Sequence, residues 1–235
     1  MSGPHTIELA GEEMLLLPER AIFWPRRGTL IVADVHLGKE DVFGRHGMAI
    51  PRGATSDDLV RLAGLVERWP VNDVVVLGDL LHGLPSARSD WPGELALWLD
   101  AHAEIQFRVV AGNHDRPAAM HSLDKRIEWH RGDVLEVPFR LMHHPEQASA
   151  EFVLCGHLHP TLRIKTRADV LRSPVFWFAD RVGVLPAFGR FTGGFNVQPA
   201  ASDRLFMTGP DVVVDVSHVT MAAAADRPWT ASPTG

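Results

Sequence analysis

VVLGDLLHG (Val75–Gly83) and VVAGNHDRP (Val109–Pro117) each begin as a run of branched apolar residues and end, after one glycine, in polar side chains. The first run delivers Asp79 and His82; the second delivers Asn113, His114 and Asp115. Folding alone gives no reason to end a buried strand in a carboxylate, an amide or an imidazole. The two stretches therefore pose a question of chemistry as well as of fold.

Working outward, TLIVADVH (29–36) is a third apolar strand of the same kind, and it ends in Asp34 and His36. Before it come short strands at TIELAG (6–11), MLLLPE (14–19) and AIFW (21–24), with a turn at PRRG. Between the three polar-ended strands, TSDDLVRLAGLVERW (55–69) puts Leu59, Leu62, Leu65, Val66 and Trp69 on one helical face. Thr55 or Ser56 is its expected N-cap. WPGELALWLDAH (91–102) is a second amphipathic helix. The order β, α, β, α, β predicts right-handed crossovers and a parallel sheet covered by helices.

After about residue 120 the pattern changes to short strands between turns: RIEWH, DVLEVPFRLMHH, EFVLCGH, TLRIKT, SPVFWFAD, RVGVLPAFG, RLFMTG and DVVVDVSH. An α/β front half thus feeds a β-rich back half, which predicts two packed sheets inside one domain over residues 1–219. The tail, residues 220–235, is small, polar and proline-bearing, and is expected to be disordered.

Composition limits the function. A chain of 235 residues, 46% hydrophobic, suits one soluble domain with a sizeable core. No apolar run approaches the ~20 residues of a membrane helix, and MSGPHTIELAGEE lacks the marks of a secretory signal. The single cysteine, Cys155, is expected to be a buried thiol in a reducing, cytoplasmic setting. A net charge of −6 excludes a broad positive field that would coat nucleic acid. Thirteen histidines direct attention to metal ligands.

The strand ends supply them. Asp34 and His36, Asp79, Asn113, His143 or His144, and His157 and His159 all follow apolar strands. Sites in open α/β sheets form outside the carboxyl ends of strands, so these groups can converge. Three oxygen donors and four imidazoles exceed one catalytic ion and suffice for two divalent ions sharing a carboxylate. The absence of thiolate fits Mn, Fe or Zn. Two such ions clamp a phosphoryl group for in-line attack. Gly78, Gly112 and Gly156 precede donors, where backbone and metal must come close.

The ordered series DVH, GD, GNHD, HH, GHLH resembles the calcineurin-like metallophosphoesterases. A more specific resemblance is to the bacterial ligase-associated DNA-damage-response endonucleases. It is carried by DVHLGKEDVFGRHGMAIPRG, LGDLLHG, CGHLHP and LPAFGRFTGG. The resemblance implies a four-layer αββα sandwich of two mixed β-sheets flanked by helices. It implies that Asp34, His36 and His159 hold one ion, that Asn113, His143 and His157 hold the other, and that Asp79 bridges. It assigns His114 to the leaving oxygen, with Asp115 orienting that imidazole. The implied activity is a manganese-dependent endonuclease on single-stranded DNA, working in repair with a helicase, an exonuclease and a DNA ligase. Where many members carry a glycine after the fourth-block histidine, this chain has His144.

Two other readings remain at this stage: a phosphomonoesterase or nucleotide pyrophosphohydrolase, and a non-catalytic scaffold of the same fold. The first needs cations for a dianionic phosphate, and no obvious arginine cluster stands out in the sequence. His82 either projects towards substrate or caps the following loop. Arg45 and Arg116 are candidate phosphate contacts beside the motif blocks, and Phe43, Trp91 and Phe195 are candidate stacking or packing rings.

Overall fold

The computed structural model describes residues 3–45, 53–86, 89–145, 151–165, 170–190 and 192–218. The chain starts with four short strands, β1 (His5–Leu9), β2 (Glu12–Leu17), β3 (Ala21–Trp24) and β4 (Thr29–Ala33). Each pairs antiparallel with the next. Next come α1 (Lys39–Arg45), α2 (Ala54–Arg68), β5 (Asp73–Leu77), α3 (Trp91–Ala101), β6 (Gln106–Val110), α4 (Pro117–Ser122) and β7 (Ile127–His130). From β4 to β7 the pairing is parallel. The first sheet therefore keeps the order β1 to β7, a meander joined to a parallel half. Burial follows that change. The edge strand β1 alternates exposed and buried residues, whereas β4 and β5 are buried along their whole length.

The second sheet holds β8 (Val134–Glu136), β9 (Phe139–Leu141), β10 (Phe152–Cys155), β11 (Pro160–Lys165), β12 (Val170–Ala179), β13 (Val182–Val184), β14 (Phe195–Asn196), β15 (Arg204–Thr208) and β16 (Val213–Asp215). Its order is β14-β11-β12-β13-β10-β9-β8, with β15 beside β12 and β16 beside β15. It too is mixed: β9, β10 and β13 run parallel, while β11, β12 and β15 are antiparallel neighbours.

Three apolar layers hold this sandwich together. Ile22, Ile31 and Val75 of the first sheet meet Phe139, Phe176 and Phe206 of the second in the layer between them. Leu62 and Leu65 of α2 and Leu95 and Trp98 of α3 cover the outer face of the first sheet. Cys155, Val175, Trp177 and Leu205 form a cluster on the other face of the second sheet, joined by Val197 and Val216. Two mixed sheets with helices are the expected architecture. At one pole Arg108 spans the sheets, reaching Asp73 at 2.5 Å and Glu136 at 2.5 Å. The carboxyl ends of β4, β5 and β6 open at the other pole.

The N-cap expected at Thr55 or Ser56 does not form. Helix α2 begins after Gly53, whose φ of 90° makes the turn without any side-chain cap. Thr55 Oγ1 instead accepts from the Gly38 amide at 3.1 Å and donates to Glu40 at 3.2 Å. The hydroxyl is thus spent tying α2 to the loop after β4. The tail expected at residues 220–235 lies outside the described residues. Among the described residues no helix is long and apolar enough to cross a membrane.

Candidate metal centre

Five strand ends meet at the open pole. From the first sheet come Asp34 and His36 after β4, Asp79 after β5, and Asn113 after β6. His143 follows β9, and His157 and His159 follow β10. The rings of His36 and His159 approach to 3.3 Å between their Nε2 atoms. His159 Nε2 lies 3.5 Å from Asp34 Oδ1. His143 Nε2 lies 3.0 Å from Asn113 Oδ1, 3.1 Å from His157 Nδ1 and 3.6 Å from Asp79 Oδ2. Asp79 Oδ2 is also 4.0 Å from His36 Nε2, so this carboxylate faces both groups of imidazoles.

The backbone is bent to make this possible. Asp34, His36, Asp79, His157 and His159 all have positive φ, between 47° and 70°, which non-glycine residues rarely adopt. Such outliers cost energy and persist where the surroundings over-determine them. Gly78 shows how tight the approach is: a Cβ there would sit 1.8 Å from His143 Nδ1. At Gly156 a Cβ would meet Asp34 Oδ2 at 2.6 Å. Amides of one block hold carboxylates of another. His157 N donates to Asp34 Oδ2 at 2.8 Å, and His114 N donates to Asp79 Oδ1 at 2.8 Å. No sequence signal marks these donors, because every residue but proline has one.

The donor set fits divalent cations. Asp34 Oδ1 is buried and has no hydrogen-bond partner, an arrangement that is costly unless something positive completes it. Burial, and then neighbouring positive groups, hold His36 well below the ordinary histidine range and lower His157 to about 4. Burial also lowers His143. These rings are therefore neutral near physiological pH, the state in which imidazole ligates metal. His143 Nδ1 lies 3.3 Å from the Leu77 carbonyl, and donating there leaves Nε2 free as a lone pair. Burial raises Asp79, as expected of a carboxylate meant to face a cation. Asp34, His36 and His159 form one compact group of potential ligand atoms, and Asp34, Asp79 and His143 form another. The exposed ring of His144 also lies within ligand distance of His143 and His157.

Residues 29–166 match the model of the calcineurin-like phosphoesterases. The chain belongs to this family. The match covers the span from β4 to β11, which carries every donor described above, so this phosphoesterase is a hydrolase of phosphoester bonds. Among solved structures it is similar to Pseudomonas putida nuclease MPE, with 32% identity, 90% of this chain and 100% of that chain covered, and a TM-score of 0.75. A protein of unknown function from Aquifex aeolicus, AQ665, is 15% identical over 56% of this chain and 78% of its own, with a TM-score of 0.38. No curated protein matches.

Other sequence candidates divide between the phosphoesterase centre and elsewhere. His114 lies beside the donors, with its ring edge-on to His36 at 5.3 Å and stacked on His82 at 5.2 Å. His82 lies in the same cluster of rings. Its Nδ1 is 3.3 Å from His36 Nδ1, and its ring lies between those of Phe43 and His114. Asp115 departs from its expected role of orienting His114. Its carboxylate accepts from the amides of Gly112, Leu81 and Leu80 at 2.9, 2.9 and 3.3 Å. It braces the β5 and β6 loops, because amides left over at strand ends outcompete an adjacent ring. Burial pushes this carboxyl up to about 7. Arg116 is exposed at the start of α4, and Trp91 is core. The side chain of Arg45 lies outside the described residues. Cys155 is fully buried and burial raises its thiol, so it is no nucleophile.

Proposed function

We propose that this phosphoesterase is a binuclear, manganese-dependent endonuclease that cuts single-stranded DNA during repair. The observation that carries the reading is Asp34 Oδ1, buried and unpartnered, with ring nitrogens of His159 and His143 at 3.5 and 3.8 Å. In this reading Asp34, His36 and His159 hold one cation, Asn113, His143 and His157 hold the second, and Asp79 serves both. Bound there, the pair would polarise a phosphodiester and acidify water near neutral pH.

The chain's own residues do the rest. His114 stands beside the donors without being one, and delivers a proton to the leaving oxygen. The stacked rings of Phe43 and His82 wall the same side and exclude water from it. Asp115 holds the Asn113–His114 loop against the loop after β5. Kinship with a nuclease at 32% identity supports a nucleic-acid substrate. A working context with a helicase, an exonuclease and a ligase, and a cytoplasmic location, complete the proposal; the free Cys155 suits a reducing compartment.

The test is incubation of the purified protein and manganese with circular single-stranded DNA. Linear and shorter products are expected. An intact circle together with hydrolysis of bis-p-nitrophenyl phosphate would remove the nuclease reading and keep the diesterase. Preference for the p-nitrophenyl monoester would favour a phosphomonoesterase.

A further inference from the structure

A second cavity opens at the same pole. It measures about 550 Å³ and is lined by Arg20, Arg61 and Arg190, with Leu171, Met207 and Val214 on its apolar side. Arg20 ends the turn before β3. Because β3 runs antiparallel to β4, with Ile22 opposite Ile31, that turn sits beside the carboxyl end of β4, where Asp34 begins. The segment 187–190 links the two, with Arg190 lining the cavity and the residues before it bonded to the chain at Asp34. Phe188 N donates to the Ala33 carbonyl at 2.7 Å and Gly189 N to that of Asp34 at 3.1 Å.

The guanidiniums are held on the other side of that segment. Arg20 Nη1 donates to the Ala187 carbonyl at 3.3 Å. Arg61 donates to the Phe188 carbonyl and lies 4.0 Å over the Phe188 ring. Arg61 pairs with Asp58 at 3.0 Å, Arg190 with the exposed Asp57 at 3.0 Å, and Glu19 gives Oε1 to Arg68 at 2.6 Å while its Oε2 has no hydrogen-bond partner. Arg20 makes its direct hydrogen bond to a carbonyl and feels a carboxylate only through the field of Asp58, which Arg61 already pairs. Burial lowers both Arg20 and Arg61, the latter to about 10, so both stay cationic. A half-buried guanidinium that shares its carboxylate neighbour with a second arginine keeps N–H donors to offer an arriving anion. Arginine's planar fork matches phosphate oxygens. Arg20 also sits at φ 68°, a conformation in which glycine or asparagine costs less. Opposite the cations, Leu171 and Val214 are 52% and 47% exposed, an apolar wall open to solvent.

Phosphate-binding cations facing an apolar wall match one nucleotide: a phosphate on one side, a base on the other. We propose that this cavity binds a nucleotide of the substrate strand remote from the one being cut, holding the strand across the segment 187–190. The inference rests on the DNA reading above.

The test compares wild type, Arg190→Glu and Arg20→Gln on three substrates with manganese: bis-p-nitrophenyl phosphate, a short oligonucleotide that reaches only the metal centre, and a long single strand. For Arg190→Glu, whose side chain is half-exposed, KM on the long strand should rise about tenfold, with the two small substrates unchanged. The salt dependence of binding should fall by about one phosphate equivalent. Arg20→Gln should do the same, and its diester activity reports whether it has folded. Unchanged KM for the long strand in both variants would overturn the inference while leaving the nuclease reading intact. Equal losses on all three substrates would also overturn it, by making the arginines props for the Asp34 loop. If wild type hydrolyses the diester and cuts neither DNA, both readings fall.

Discussion

The metal centre and the arginine cavity lie at one pole of the same sandwich, a few residues apart, and are built on opposite plans. The centre gathers imidazoles around carboxylates, one of which has a buried oxygen with no partner. The cavity gathers guanidiniums around carbonyls and gives Arg20 no direct carboxylate contact among the described residues. The first suits a cation and the second an anion, and under the proposed function a phosphodiester strand with divalent ions would use both.

The largest effect that would sharpen this contrast is catalytic. His114→Ala should keep its fold and its bound manganese, measured by elemental analysis, and lose about 10²–10⁴-fold in turnover. That loss should be equal on diester and DNA, unlike the DNA-only defect expected of the arginine variants. Unchanged turnover would remove His114 from its assigned role.

Packing gives a smaller effect. Gly78→Ala drives a methyl to 1.8 Å from His143 Nδ1 at a φ of 80°, and should cost about 2–4 kcal/mol with loss of bound metal. Gly64, on α2 close to Arg61, has nothing within 4 Å of an added Cβ. Gly64→Ala should gain about 0.5–1 kcal/mol from helix propensity alone. Urea melts of both variants test whether tolerance really changes so sharply between the two regions.

Protonation gives the smallest. Burial, and then the positive groups around it, lower His82 from 6.5 to about 4. A folded-state value below the unfolded one means stability that is present above pH 6.5 and lost as pH falls towards 4. In metal-free protein, His82→Asn should therefore lose less melting temperature than wild type across that window. Parallel melting curves would show that His82 is not held neutral by its surroundings.

The same contrast explains what could be read from the sequence. The donors were legible because each follows an apolar strand within a short block, so strand geometry alone sends them to one place. The β, α, β, α, β order was legible for the same reason. Arg20, Arg61 and Arg190 were not: a turn, a helix and a loop each display what looks like an ordinary surface charge, and only the pairing of β3 with β4 brings the first beside the segment carrying the third. The cap expected at Thr55 or Ser56 is absent because Gly53 can make that turn unaided. The role that the resemblance implies for Asp115 says nothing of the three backbone amides its carboxylate accepts from.

The donors' distribution between the sheets has one more consequence. Asp34, His36, Asp79 and Asn113 follow strands of the first sheet, and His143, His157 and His159 follow strands of the second. Ions seated among them would act as a clasp at this pole, while Arg108 with Asp73 and Glu136 forms the hinge at the other. Chelation would then loosen this pole first, with the apolar layer between the sheets and the Arg108 ion pairs still joining them.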